Sequence, residues 1–176
     1  MGTVTSGSSE NWSSTDGTQY FTGQTTYRGD LSLITMSTTA NGRIYVGEVG
    51  ATANAAVAEM WSRPPKVGVQ YCTGGAYSGE LCGWTVTQVG VDIWSTGAAS
   101  GTPLKKRHVT VGTRTGAGTT FGDSGGPVYT VRASDGRVAA KGIHNSGGKS
   151  GSTYTETFTD IYDAFNGLPG VLLTSS

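Results

Sequence analysis

Gly122-Asp123-Ser124-Gly125-Gly126-Pro127-Val128 is the stretch on which the whole reading turns. Glycines on both sides of the serine let the backbone turn sharply and leave the hydroxyl bare. They also let two amide N–H groups, those of Gly122 and Ser124, converge on one point. A serine nucleophile needs that arrangement, because attack on a carbonyl creates an oxyanion that must be held as it forms. The plainer alternative is a glycine-rich hairpin with an incidental serine. Six specified residues in a row argue against it.

Outward from this motif the chain reads as short strands between tight turns. Alternating or apolar runs occur at Asp30–Met36, Arg43–Val49, Val67–Cys72, Cys82–Val89, Val91–Trp94, His108–Thr113, Pro127–Val131, Arg137–Ile143 and Ser152–Asp160. Each is bounded by Gly, Ser, Asn or Pro, as strands of a barrel or sandwich are. Only Asp160–Asn166 reads as helix, stopped at once by Gly167 and Pro169. Ser62-Arg63-Pro64-Pro65-Lys66 denies ladder donors and is expected to be a linker. The expected organisation is a partial first lobe over 1–61, the linker over 62–66, and a second lobe over 67–176 that carries the serine. Residues 1–61 supply only about three strands, and their apolar faces and open edges find no evident partner in the chain.

Composition narrows the function classes. The 176 residues include 29 glycines, only 14% are charged, and the formal net charge is +0. Such a chain lacks the basic footprint of a nucleic-acid binder. No apolar run approaches the roughly 18 residues that would cross a membrane, and Met1–Thr15 shows no signal-peptide hydrophobic region. Cys72 and Cys82 are the two cysteines. A zinc site would need further ligands, and His108 and His144 are distant and unclustered, so no metal is expected. A short-loop disulfide, which implies an oxidising compartment, stands against two reduced thiols. Arg28-Gly29-Asp30 spells an adhesion tripeptide, and Asn11-Trp12-Ser13 a glycosylation sequon, both short enough to arise by chance.

The serine string resembles the active-serine motif of chymotrypsin-like peptidases. The resemblance extends to Cys72-Thr73-Gly74-Gly75, Ser78-Gly79 and Cys82-Gly83-Trp84-Thr85-Val86, which look like the disulfide hairpin opening the second barrel in bacterial secreted peptidases of the streptogrisin and α-lytic branch. The ending, Gly142-Ile143-His144 through Tyr154, Thr159-Asp160-Ile161-Tyr162 and Leu168-Pro169-Gly170-Val171, is similar to actinobacterial members. The likeness runs from about residue 28 to 172 and is strongest in the second lobe. It implies an all-β double antiparallel barrel, the first truncated at its N-terminus and the second complete. It also implies a secreted serine endopeptidase that takes polypeptide substrates and needs no cofactor.

Residue by residue, the resemblance makes Ser124 the nucleophile and the amides of Gly122 and Ser124 the oxyanion donors. Asp30, opening Asp30-Leu31-Ser32-Leu33-Ile34, matches the aspartate that orients the imidazole, although an ordinary turn aspartate would look the same. The specificity pocket is expected between Gly118-Thr119-Thr120-Phe121 and Asn145-Ser146-Gly147. No acidic residue lies between Gly112 and Phe121, so Arg or Lys before the cut bond is not expected, and an apolar or acidic residue is. His144 borders the second wall and either reads an acidic side chain, as in some glutamate-cleaving members, or is an ordinary packed strand histidine.

One departure is decisive. The family's histidine should precede Asp30 in an Ala-(Ala/Gly)-His-Cys context, and residues 1–29 contain no histidine. His108 and His144 match the base neither by motif nor by chain order. The chain alone is therefore expected to be inactive, with the base supplied by a separate N-terminal segment that completes the first barrel. The alternatives are a non-catalytic relative that binds peptides or a partner protein, and a structural β-protein that keeps the motif as a relic. Thr73 also stands where relatives often place an arginine, which leaves the partner of Asp123 open.

Overall fold

A computed structural model describes residues 2–4, 29, 31, 34–61, 63–96, 103–167 and 170–176. Ten strands and one short helix follow in chain order. They are β1 (Gly2–Val4), β2 (Ile34–Met36), β3 (Arg43–Tyr45), β4 (Asn54–Met60), β5 (Gln70–Gly75), β6 (Gly79–Thr96), β7 (Pro103–Thr115), β8 (Pro127–Val131), β9 (Val138–Ser150), β10 (Thr153–Asp160) and α1 (Ile161–Gly167). The all-β expectation holds.

Six strands of the 67–176 region close on themselves. Their order is β10-β7-β6-β5-β8-β9, and β9 pairs back to β10 antiparallel from Gly142 to Ser150. Closure removes the unpaired edges that a flat six-stranded sheet would expose. β5 and β6 form the hairpin that the cysteines bracket, and Cys72 and Cys82, directly opposite in register, are bonded. Inside the ring, Tyr71, Trp84, Val86, Val128 and Phe158 are almost wholly buried. Tyr71 lies nearly parallel to Trp84, 6.4 Å away, and meets Phe158 edge-on at 5.2 Å. Trp84 donates its indole N–H to Thr73 Oγ1 at 3.1 Å, so the ring's largest side chain is buried with its polar atom satisfied.

Several boundaries differ from the sequence reading for physical reasons. The runs at Cys82–Val89 and Val91–Trp94 are one 18-residue strand. Register shifts on either side of Gly90 let β6 bend instead of ending, as a bulge does. β4 was not anticipated: Asn54-Ala55-Ala56-Val57-Ala58-Glu59-Met60 is rich in residues that strands disfavour. Pairing makes it a strand, because it lies between β3 and the first residues of β9, with Val57, Glu59 and Met60 parallel to Val138, Ala139 and Ala140. The helix begins one residue later than expected, with Asp160 Oδ1 accepting the Tyr162 amide at 2.9 Å as an N-cap.

β3 and β4 thus extend the barrel's own sheet across the Ser62–Lys66 boundary. The expectation that the apolar faces of residues 1–61 lack a partner is corrected here. Ile44, Val46 and Ala55 pack on Val57, Cys72, Tyr129 and Val138, together with Leu172 from the C-terminal segment. That segment also donates the Ser175 amide to Val57 O at 2.9 Å. Leu31 is buried separately beneath α1, against Ile161 and Ala164.

Candidate active site

The turn that carries Ser124 hangs between β7 and β8. Its backbone is pinned at three of five consecutive amides: Asp123 N donates to Thr120 O at 3.2 Å, Gly125 N to His144 O at 2.8 Å, and Gly126 N to Asp123 O at 2.9 Å. The amides of Gly122 and Ser124 have no acceptor among the described residues. Gly122 sits at φ +95°, a conformation that side chains disfavour, with the Tyr77 ring filling the space where a Cβ would stand. Ser124 Oγ donates to Asn145 O at 3.1 Å, its one hydrogen bond among the described residues.

Asp123 is turned away from the serine and buried. Its carboxylate accepts the Ser78 hydroxyl at 2.6 Å and the amides of Tyr77 at 2.8 Å, Ser78 at 3.2 Å and Thr120 at 2.8 Å. Burial pushes this carboxyl up, but the four donors outweigh that and hold it below the usual carboxylate range. The partner left open by the sequence is thus the Tyr77–Ser78 turn of the disulfide hairpin, while Thr73 serves the Trp84 indole instead.

β9 runs beside the serine turn. His144 exchanges backbone hydrogen bonds with Gly125 and Gly126. Asn145 offers its carbonyl to Ser124, and its side chain is paired with Thr159 Oγ1 at 3.0 Å. Ser146 Oγ meets Thr157 Oγ1 at 2.8 Å. On the facing segment, Gly118 lies against the Tyr154 ring and Thr119 Oγ1 lies against Gly147. The two segments named as pocket walls therefore adjoin, with β10 behind them. Phe121 is 83% exposed.

Behind His144 lies a group that was not singled out in the sequence. Glu156 on β10 is fully buried, and its Oε2 is 3.6 Å from Nδ1 of the equally buried His144. Tyr71 completes the cluster. Its hydroxyl occupies the space where Gly112 would carry a side chain, and Gly112 is the β7 residue directly opposite Glu156. Burial pushes the Glu156 carboxyl up, against the opposing pull of His144 and Tyr71. Burial, reinforced by Glu156, pushes the Tyr71 phenol up as well. Among the described residues, the Tyr71 hydroxyl, His144 Nδ1 and both Glu156 oxygens are buried without a hydrogen-bond partner. The available signal was a lone glutamate between Tyr154 and Phe158, on a strand made otherwise of Thr and aromatics until its last residue, Asp160.

His108 is engaged elsewhere, with Nδ1 2.5 Å from Asp163 Oδ2 on α1. Asp30 lies outside the described residues. Its neighbour Gly29 bridges to Arg107 and packs against Thr159, the residue that holds the Asn145 side chain. A separate cavity of about 630 Å³ borders the Gly125–Gly126 backbone and is lined by Ile44–Ala51 and Gly74–Ala76; neither His144 nor the Gly118–Phe121 segment reaches it. Cys72, Glu80 and Cys82 cluster closely enough to suggest a metal, but the disulfide uses both sulfurs and Glu80 Oε1 accepts the Tyr129 hydroxyl at 2.6 Å. No helix among the described residues is long and apolar enough to cross a membrane.

A search of curated proteins finds no match to this chain. The Trypsin family model matches residues 3–166, nearly the whole length, and takes in the serine turn, the disulfide hairpin and the closed ring of strands. The chain belongs to the trypsin family of serine peptidases.

Proposed function

We propose that this chain carries the acyl-transfer side of a serine endopeptidase, secreted and of the bacterial streptogrisin-like branch. Ser124 attacks the peptide carbonyl, and the amides of Gly122 and Ser124 receive the oxyanion. The observation that carries this is the selective use of the turn's amides: three of five are spent holding the loop, and the two flanking the hydroxyl are left over. Asp30 is assigned the orienting role, and the general base comes from a histidine on a separate N-terminal segment that completes the first lobe. The disulfide supports an oxidising, extracellular setting. Gly118–Phe121 and Asn145–Gly147 wall the specificity pocket, with His144 at its back, which favours apolar or acidic side chains before the cut bond.

A second reading has an observation of its own. Both histidines are paired with carboxylates, and among the described residues neither side chain bonds Ser124, so a non-catalytic peptide-binding relative is the alternative. Adding the missing histidine distinguishes the two. Co-expression of the chain with a family-type N-terminal segment bearing Ala-Gly-His-Cys should raise peptide hydrolysis and fluorophosphonate labelling of Ser124 by at least a thousandfold. Folded complex that remains inert would favour the binding protein.

A further inference from the structure

We infer that Tyr77 is a positioning residue for the oxyanion donor at Gly122: its ring holds the Phe121–Gly122 peptide in the orientation that aims the Gly122 N–H at the substrate. This rests on the reading that the Gly122 amide receives the oxyanion, and adds the side chain that keeps that amide aimed.

The serine turn has two available states. Asp123 N donates to Thr120 O, so Thr120–Asp123 is a four-residue turn with Phe121 and Gly122 at its centre. Gly122 has φ +95°, and Phe121 is not among the positive-φ residues, which makes the turn type II. A type I turn spans the same ends with the central peptide turned over. The Phe121 carbonyl and the Gly122 N–H then exchange sides. In that state an acceptor, not a donor, faces the place where the oxyanion forms. The four donors on the Asp123 carboxylate belong to Tyr77, Ser78 and Thr120. None belongs to the central peptide, so the carboxylate does not choose between the two states.

The Tyr77 ring does choose. A side chain at the third position of a type II turn crowds the carbonyl oxygen before it, so the missing Cβ of Gly122 marks the side that the Phe121 carbonyl takes. The Tyr77 ring fills that space, and its nearest atoms are Cδ2 and Cε2, neighbours on one ring edge. The edge of an aromatic ring is the positive part of its quadrupole. It suits a carbonyl oxygen and disfavours an N–H, which would find no acceptor there. The ring therefore favours the state in which the N–H points away from it. Tyr77 is 68% exposed, so the ring adds little to the core and can be removed without emptying it.

NMR on the chain itself tests this without catalysis. Phe121–Gly122 is the single Phe–Gly pair in the sequence, so labelling Phe carbonyl carbon and Gly nitrogen gives one signal for this peptide. The variants are Tyr77→Phe and Tyr77→Ala, in which the backbone amide still holds Asp123. A strong nuclear Overhauser effect from Phe121 Hα to the Gly122 N–H marks the type II state, and a weak one the type I state. Wild type and Tyr77→Phe should show the strong effect, and Tyr77→Ala a mixture. The second probe is acetyl-Ala-Ala-Pro-Phe as the free acid, whose carboxylate takes the oxyanion's place, compared with its carboxamide. The acid should shift the Gly122 and Ser124 amides in wild type. Tyr77→Ala should bind the acid about tenfold more weakly, the worth of one hydrogen bond to a charged group, and the carboxamide should lose much less. Should the alanine variant fold poorly, Tyr77→Leu keeps apolar bulk without the ring edge and should show the same mixture. A type II state as fully populated in Tyr77→Ala or Tyr77→Leu as in wild type would overturn the inference and leave the oxyanion reading standing. A mixed turn with undiminished binding of the acid overturns donor positioning as well. An acid peptide that leaves both amides unmoved in wild type overturns the oxyanion reading itself, and the role of Tyr77 with it.

Discussion

Ser78 donates its hydroxyl to the carboxylate of Asp123 across 2.6 Å, joining the disulfide hairpin to the residue before Ser124 over 45 positions of sequence. Two amides of the same hairpin turn reinforce the contact. The serine turn is therefore shaped from a distance, by a turn between β5 and β6 that the Cys72–Cys82 bond closes.

Ser78→Ala should destabilise the chain by about 1.5–3 kcal/mol, the usual worth of a hydrogen bond to a charged group. The pH dependence has a definite sign. The Asp123 carboxyl is held below its ordinary value in the fold, so its contribution is complete above the unfolded value of 3.8 and is lost as pH falls through the lower folded value. Urea melts at pH 6 and pH 3 should show the Ser78→Ala penalty shrinking at the acid end. An equal penalty at both would mean that the hydroxyl is not supporting a carboxylate.

Reducing Cys72–Cys82 should cost roughly 2–3 kcal/mol in the chain-entropy picture, since the bond closes a loop of 10 residues. Mass spectrometry without reductant should show two hydrogens missing. The loss should also loosen the Ser78–Asp123 contact, so fluorescence of Trp84 in the hairpin should change with reduction. Two free thiols in protein from an oxidising compartment would refute this.

How much of this was legible in the sequence depends on how local the signal was. The serine turn, the cysteine pairing, the helix and most barrel strands showed through, because turn chemistry and period-2 patterning are written within a few residues. β4 did not, since an Ala-rich segment becomes a strand only through β3 and β9. The Ser78–Asp123 contact and the Tyr71–Glu156–His144 cluster were hidden for the same reason: each joins side chains that barrel closure alone brings together. The reading of residues 1–61 as lacking a partner failed because it could not see the C-terminal segment returning along β4.

Lys141 offers a test of the barrel's buried charge. Its amine is buried over the Trp61 ring, and burial, then Arg63, brings it down to about 7. The folded chain therefore holds fewer protons than the unfolded chain between about 7 and the free value of 10.5, so stability should climb as pH rises through that window. Asp160, pushed up to about 6 mainly by burial, acts below it: its cost is absent under 3.8 and complete above 6. Lys141→Met should abolish the alkaline climb and raise the melting temperature at pH 6, by about 2–4 °C for each kcal/mol relieved. A climb that survives the substitution would place its source elsewhere.

Catalysis by the chain alone should be residual. Without an imidazole beside it, the Ser124 hydroxyl stays protonated at neutral pH, and only binding and the oxyanion donors remain. Such remnants accelerate hydrolysis by about 10³–10⁴ over water. Ser124→Ala should change that residue little. Turnover like that of an intact peptidase, lost in Ser124→Ala, would show that a base is present within these 176 residues, and His108→Ala and His144→Ala would locate it.

Hydrogen exchange should separate the closed ring from the strands laid on it. Amides of Val109–Val111 and Val128–Tyr129 lie in strands paired on both sides and buried, and they should exchange only by global unfolding. β4 is paired to β3 and β9 and also carries the Ser175 contact at Val57, which should give intermediate protection. β3 is the last strand of the sheet, three residues long, with Tyr45 74% exposed. Its amides should exchange orders of magnitude faster than those of β8. Binding of an N-terminal segment to the first lobe should slow β3 and β4 while leaving the ring unchanged. Protection across Arg43–Tyr45 equal to that of Pro127–Val131 in the monomer would mean that the first lobe is already complete, and the proposal of a separate histidine-bearing segment would lose its structural basis.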